Sequence, residues 1–157
     1  MDARYDFFAN PVSGKFLKQL VSSARPLVES SLPASTRELV ALRVSQINGC
    51  GFCVDMHTKD AVAAGETQQR LHLVAVWREA TVFTDSERAA LELAEEGTRL
   101  ADAAGGVSDE VWANAAKHFD EDQLGALIST IAVMNALNRL NVITQRPAGD
   151  YQPGQFG

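Results

Sequence analysis

The sequence is short of cysteine, proline and positive charge, and each shortage argues against a class of protein. Of its 157 residues, 2 are cysteine and 5 are proline, and 14 lysines and arginines stand against 20 aspartates and glutamates. Two cysteines cannot form the disulfide framework of a small secreted protein. Nucleic acids and anionic membrane surfaces both need a basic protein surface, so the net charge of −6 argues against both as partners.

A long apolar run is also missing. The longest stretch without a charged residue, 123–138, is too short for a membrane span and contains two asparagines. The N-terminal hexapeptide MDARYD is polar, which argues against a secretory signal peptide. We therefore expect a cytoplasmic protein.

Strand patterns are scarce, whereas helical spacing recurs along most of the chain. The only candidate strand, Ala80–Phe83, is expected to link two helices. Helix starts are predicted at Ser35, Thr84, Ser108 and Asp120, and the first two have the sequence of a capping box. These signals predict an all-α fold.

We predict one domain over residues 1–157, a helical bundle of about seven helices. The helix from Asp120 to about Val142 is the most apolar and is expected to be central. Short arms are predicted at residues 1–12 and 146–157, the second of which is rich in proline and glycine. Their aromatic side chains suggest packing on a neighbouring subunit, and fraying is the alternative.

Both cysteines lie in one short motif, Cys50-Gly51-Phe52-Cys53, and His57 follows four residues later. On a helix, the two cysteines and the histidine point within about 60° of one another. Residues four apart are also neighbours on a helix face. We therefore expect the two sulfurs to approach each other and the imidazole to approach a sulfur.

The expected position of the motif favours reactive thiols. If a helix begins at Asn48-Gly49, both cysteines lie in its first turn, where unsatisfied N–H groups and the helix dipole favour thiolate. One thiolate could then attack an oxidant, and the second could resolve the product as a disulfide. Helix position favours Cys50 as the attacking residue and the His57 pairing favours Cys53, so spacing alone leaves the choice open.

Three other interpretations compete with dithiol chemistry. The C-x2-C-x3-H pattern offers three zinc-type ligands, and His72, His118 or a carboxylate would have to supply a fourth. One helix, however, presents the three groups poorly for a tetrahedral ion. Attached haem would need histidine directly after the second cysteine, where Val54 stands. An inert pair of buried cysteines is the third interpretation, and the nearby histidine argues against it.

Glu38 has an ordinary structural interpretation as the last residue of the capping box that Ser35 opens. A wider pattern gives it a second meaning. The spacing Glu38-x11-Cys50-x2-Cys53-x3-His57 resembles the signature of the alkylhydroperoxidase D-like group in the carboxymuconolactone decarboxylase superfamily. The lead-in SQINGC and the later segments FTDSERAALELAE and HFDEDQLGALISTIAVMNALNRL extend the resemblance to about residues 10–143, in the manner of the short peroxidase-related members.

The resemblance implies an all-helical fold that assembles as homotrimers or hexamers and reduces peroxides at the cysteine pair. In that group the second cysteine attacks the peroxide, so this role falls on Cys53 and the resolving role on Cys50. His57 and Glu38 become parts of a proton relay that activates the thiol. The sequence carries no sign of a bound organic cofactor.

The better-studied members are reduced through a lipoylated protein and serve a peroxiredoxin, so the resemblance implies a dithiol reductant of this kind. Those members have a histidine just before the second cysteine, where this chain has Phe52. The decarboxylase branch needs no cysteine pair, which argues against decarboxylation. We predict a thiol-dependent peroxidase of organic hydroperoxides or hydrogen peroxide. The alternatives are a redox carrier or sensor, and a decarboxylase-like lyase or binding protein.

Overall fold

The computed structural model describes residues 2–155, and the secondary structure over them is entirely helical. The α-helices are α1 (Pro11–Ser22), α2 (Arg25–Val28), α3 (Ala34–Ile47), α4 (Gly51–Ala63), α5 (Gln68–Leu73), α6 (Asp85–Thr98), α7 (Asp109–His118) and α8 (Glu121–Thr144). A 3-10 helix, Val74–Glu79, continues α5. Counting these two as one and setting aside the single turn of α2 leaves the predicted seven helices, so the all-α prediction is confirmed over this part of the chain.

Three of the four predicted helix starts are confirmed by their side-chain caps. The backbone N–H of Glu87 donates to Oγ1 of Thr84 at 3.2 Å, and the Glu87 carboxylate accepts from the Thr84 N–H at 2.8 Å. Ser108 accepts from the third N–H of α7, and Asp120 forms a second capping box with Gln123. Each cap satisfies donors that a helix end leaves unpaired.

The fourth predicted start, a capping box at Ser35, is wrong. The carbonyl of Pro33 accepts the N–H of Arg37 at 3.0 Å, so the first turn of α3 closes before a cap at Ser35 could form. The N-terminal arm is also shorter than predicted. Asn10 caps α1 by accepting two backbone N–H groups, and Pro11 occupies the first helical position, which suits its fixed φ.

The centre of the bundle is formed by α3 and α8. Helix α8 packs against α2, α3, α4, α6 and α7, and α3 packs against α4, α6 and α8. Val40, Val44 and Leu127 are fully buried at this contact. Among the described residues, α8 alone has the length and hydropathy of a membrane span. Its contacts on several sides are those of a core helix.

A buried carboxylate holds α6 against α3 and the 3-10 helix. Glu95 is 7% exposed and accepts from the indole N–H of Trp77 at 3.0 Å and from Arg43 Nε at 2.7 Å. It also pairs with Arg78. Burial alone would raise the pKa of Glu95, but the hydrogen bonds from Arg78, Trp77 and Arg43 hold it below its ordinary value.

Removal of this carboxylate tests whether the cluster supports the fold. We expect Glu95→Ala to lower the free energy of unfolding by about 3 kcal/mol or more, because Arg43 would keep a buried charge without its partner. Glu92→Ala is the matched control on the same helix. Its pair with Arg78 is longer, at 3.6 Å, and more exposed, so we expect a loss below about 1 kcal/mol. Urea unfolding of both variants measures the difference, and equal losses would contradict the assignment.

Candidate active site

A tight turn between α3 and α4 places the first cysteine. The N–H of Cys50 donates to the carbonyl of Ser45 at 3.0 Å, and the N–H of Gly49 donates to that of Gln46 at 3.2 Å. Gly49 has φ +67°, a conformation that glycine adopts without strain. This arrangement ends α3 and leaves Cys50 with extended backbone angles as the N-cap of α4.

The two sulfurs lie 2.6 Å apart, within hydrogen-bonding distance. The backbone N–H of Cys53 also donates to Cys50 Sγ, at 3.3 Å. Cys50 therefore caps the helix with its sulfur, where serine or threonine would use a hydroxyl. Both residues are only 1% exposed. The expected approach of the two sulfurs is present, and a disulfide could form with little movement of the backbone.

The contact makes the two thiols unequal. The hydrogen bond from the Cys53 thiol, joined by the Cys53 backbone N–H, lowers the pKa of Cys50 to about 7 against the opposing effect of burial. The pKa of Cys53 is raised, because its thiol proton is held in the hydrogen bond with Cys50 and because the residue is buried. Because the two thiols interact strongly, the pKa for loss of the first proton belongs to the pair rather than to one cysteine alone. At neutral pH about half of the pairs therefore carry one negative charge, centred on Cys50.

Glu38, on α3, faces α4. The capping box at Ser35, in which it was predicted to take part, does not form. Its Oε2 lies 2.9 Å from His57 Nδ1, and its Oε1 lies 3.7 Å from Arg37 Nε. Burial alone would raise the pKa of Glu38, but the hydrogen bond and charge of His57, with the charge of Arg37, lower it. The structure thus brings together Glu38 and His57 from different helices.

The histidine is oriented by this contact. His57 is 9% exposed, and its Nε2 is buried without a hydrogen-bond partner among residues 2–155. Within the same part of the chain, no hydrogen bond joins the imidazole to either sulfur. A buried nitrogen left open in this way can exchange a proton with a thiol, a water molecule or a substrate.

Sequence reasoning missed Asn141, which contacts the pair directly. Its side-chain Nδ2 donates to Cys53 Sγ at 3.2 Å from the last turns of α8. One turn earlier, the fully buried Asn138 accepts from Asn48 at 3.0 Å and donates to Ser45 at 3.2 Å. The regular spacing of Asn135, Asn138 and Asn141 was a usable signal, because polar residues three apart form a stripe on a helix.

Sequence reasoning also missed Arg146, at the start of the C-terminal arm. Its guanidinium carbon lies 3.7 Å from the centroid of the Phe52 ring, which in turn meets the Tyr151 ring edge-on at 6.3 Å. Burial lowers the pKa of Arg146, whereas the charges of Cys53 and Cys50 oppose that change. Phe52, which stands where the family resemblance would place a histidine, therefore packs against a cation beside the cysteine pair.

The C-terminal arm packs on the helix that carries the cysteines. The Tyr151 hydroxyl contacts both oxygens of Asp60 at 2.9 Å, and Lys59 Nζ donates to the carbonyls of Gly149 at 2.8 Å and Tyr151 at 3.0 Å. Tyr151 itself is 5% exposed. The arm thus packs on its own chain rather than fraying. No result tests packing on a neighbouring subunit.

The remaining histidines lie on elements away from the motif. His72 is exposed on α5, and His118 is half-buried at the end of α7. Over residues 2–155, no three histidine, cysteine, aspartate or glutamate side chains are grouped as metal ligands. The geometry described above instead combines a dithiol, a carboxylate–imidazole pair, an amide donor and a cation.

Comparison with known proteins identifies the family. Residues 14–96, just over half of the chain, match the carboxymuconolactone decarboxylase family. The chain belongs to this family and is an AhpD-like member of it.

Three comparisons illustrate the relationship. The protein YdfG of Bacillus subtilis, which is uncharacterised, is 39% identical over 80% of this chain and 84% of its own length. A protein of unknown function from Agrobacterium tumefaciens, described as a candidate AhpD antioxidant defence protein, has a TM-score of 0.87 and 29% identity, with 96% of this chain and all of that chain covered. The alkyl hydroperoxide reductase AhpD of Methylocella silvestris is 38% identical over 71 residues, which are 44% of this chain and 40% of that protein.

A pH titration tests the inequality of the two thiols. As pH rises through about 7, we expect the ultraviolet thiolate absorbance of the reduced protein to increase by one thiolate per chain, because Cys50 ionises first. Cys53→Ala removes the thiol donor, so the midpoint should move up towards that of an ordinary cysteine, about 8.5. A wild-type midpoint at that ordinary value would contradict the assignment.

Proposed function

We propose that the chain is a thiol-dependent peroxidase that reduces organic hydroperoxides or hydrogen peroxide through a dithiol–disulfide cycle of Cys50 and Cys53. The observation that carries the proposal is the sulfur–sulfur contact of 2.6 Å, in which one sulfur caps a helix and has a lowered pKa. A reactive thiolate with a second thiol in contact is the arrangement that peroxide reduction at sulfur requires. Membership of an AhpD-like family supports the same chemistry.

The attacking residue in this proposal is Cys53. Its sulfur accepts a hydrogen bond from Asn141 and lies one helical turn from His57. As the Cys53 sulfur attacks the terminal peroxide oxygen, its proton passes to the Cys50 thiolate along the existing hydrogen bond. The S–O bond forms, the O–O bond breaks, and an alkoxide leaves and takes a proton to become an alcohol.

The second step closes the disulfide. The Cys50 sulfur attacks the sulfenic acid of Cys53, the S–S bond forms, and the hydroxyl leaves with the Cys50 proton as water. The pair loses two electrons and the peroxide gains them. An external dithiol, of the lipoylated type or from a peroxiredoxin system, then reduces the disulfide by exchange.

Glu38 and His57 supply the proton path in this account. The 2.9 Å contact with Glu38 fixes the orientation of the imidazole and leaves its Nε2 for proton exchange with the departing oxygen or an intervening water. The carboxylate thus acts as the positioning residue and the imidazole as the proton carrier.

The assembly and location belong to the same proposal. We infer a cytoplasmic homo-oligomer, a trimer or hexamer, as family resemblance implies. Exposed apolar side chains support a subunit contact, since Val12 is 78% exposed, Phe16 55% and Trp112 45%. The net charge of −6 agrees with the absence of nucleic acid or membrane among the proposed partners.

Single-cysteine variants test the roles of the two sulfurs. With cumene hydroperoxide and the sulfenic-acid reagent dimedone, Cys50→Ser should accumulate an adduct at Cys53, because the resolving thiol is gone. Cys53→Ser should lose turnover and form little adduct. Mass spectrometry locates the adduct, and wild-type protein, which should form the disulfide instead, is the control.

Other outcomes would redirect the assignment. Full turnover in both variants would overturn dithiol peroxidase chemistry and favour a lyase or binding function. Sulfurs that exchange with a disulfide but resist peroxide would favour a redox carrier. A rapid adduct at Cys50 in Cys53→Ser would keep the peroxidase and exchange the two roles.

A further inference from the structure

Residues of both arms line a half-open cavity beside the cysteine site. Its volume is about 420 Å³, within the range of small-molecule sites. Its wall contains aromatic side chains from both arms, with Asn141 and Arg146 at the end of α8. Since Asn141 donates to Cys53 Sγ at 3.2 Å, the cavity ends one side chain from the sulfur proposed to attack.

Five aromatic side chains line this cavity. Tyr5, Phe7 and Phe8 come from the N-terminal arm, Phe52 from α4 and Tyr151 from the C-terminal arm. The N-terminal arm is attached to the end of α8, because the N–H of Arg4 donates to the carbonyl of Thr144 at 2.7 Å. Hydrogen peroxide needs no such wall, whereas the organic part of a hydroperoxide would pack against it.

A particular helix ending places Arg146 in the wall. Gln145 has φ +53°, and the N–H of Arg146 donates to the carbonyl of Asn141 at 2.9 Å while that of Gln145 donates to Val142 at 3.2 Å. This is a Schellman ending, which turns the chain back along the helix it leaves. The guanidinium carbon consequently lies 3.7 Å from the centroid of the Phe52 ring, beside the cysteine pair. Glutamine rarely adopts a left-handed backbone conformation.

We propose that this arm-lined cavity binds the hydroperoxide and that Arg146 donates hydrogen bonds to the oxygen that leaves as alkoxide. This inference rests on the proposed peroxidase function. Negative charge develops on that oxygen as the O–O bond breaks, and a cation held in position beside it stabilises such charge. The guanidinium has several N–H donors in one plane, so it can hold the oxygen while its face stays on Phe52.

The bonds that form and break are those of the peroxide attack described under the proposed function. The Cys53 sulfur bonds to the terminal oxygen, the O–O electron pair goes to the oxygen carried by the organic group, and Arg146 stabilises that oxygen until a proton arrives. Arg146 neither gains nor loses a covalent bond. Because it contacts the reacting atoms in this account, it is a catalytic residue.

Replacement of the cation separates this role from its alternatives. Arg146→Met keeps an apolar side chain on Phe52 but removes the charge. We expect its rate constant with cumene hydroperoxide to fall at least tenfold relative to its rate constant with iodoacetamide, which depends on ionisation of the cysteine pair but breaks no O–O bond. Arg146→Lys should recover part of the loss. Equal loss with both reagents would overturn the proposal in favour of an effect on the thiolate alone, and a lower melting temperature with an unchanged ratio would overturn it in favour of a purely structural role.

A cavity-filling pair tests where the substrate binds. Ala3 lines the cavity, whereas Ala9, also exposed on the N-terminal arm, does not. We expect Ala3→Trp to lower kcat/KM for cumene hydroperoxide at least tenfold more than kcat/KM for hydrogen peroxide, while Ala9→Trp changes neither. Equal behaviour of the two variants would overturn the cavity assignment. A wild-type protein inert to both peroxides would instead overturn the proposed function, so the two failures are distinguishable.

Discussion

The hydrogen bond between the two sulfurs is the interaction on which the rest of the site depends. It exists because Gly49 ends α3 in a left-handed turn and leaves Cys50 as the N-cap of α4. The two sulfurs are then in contact, and the backbone N–H of Cys53 donates to Cys50 Sγ. One negative charge is thereby stabilised in a place that is 1% exposed. Without this contact, burial would oppose ionisation of either thiol.

The remaining groups of the site come from α3, from α4 itself, from α8 and from the arm that follows α8. α3 brings Glu38 to His57, and α8 brings Asn141 to Cys53. The arm after α8 returns over α4 and is held there by Lys59 and Asp60. A buried thiol pair therefore has an oriented imidazole on one side and a cation, Arg146, on another. The packing of α3 against α8 sets the relative positions of the groups in the site. The chemistry of the site therefore depends on the buried contact between these two helices.

Local signals predicted the all-α fold, three helix caps and the approach of the two sulfurs, because each depends on residues close in sequence. The capping box at Ser35 failed since Pro33 had already closed the turn. The sequence pattern alone could not pair Glu38 with His57, because the turn at Asn48 and Gly49 breaks the helical period between them; the family resemblance suggested that pair. Asn141 and Arg146 were missed because their contacts to the site span about ninety residues and depend on how α8 crosses α4.

A free-thiol count on the reduced wild-type protein tests the central claim most directly. The count is taken before and after one equivalent of cumene hydroperoxide, over seconds to minutes, and again after addition of a dithiol. The account predicts rapid loss of both thiols in each chain and their return with the dithiol. Two thiols that stay reduced in the presence of the peroxide would contradict it.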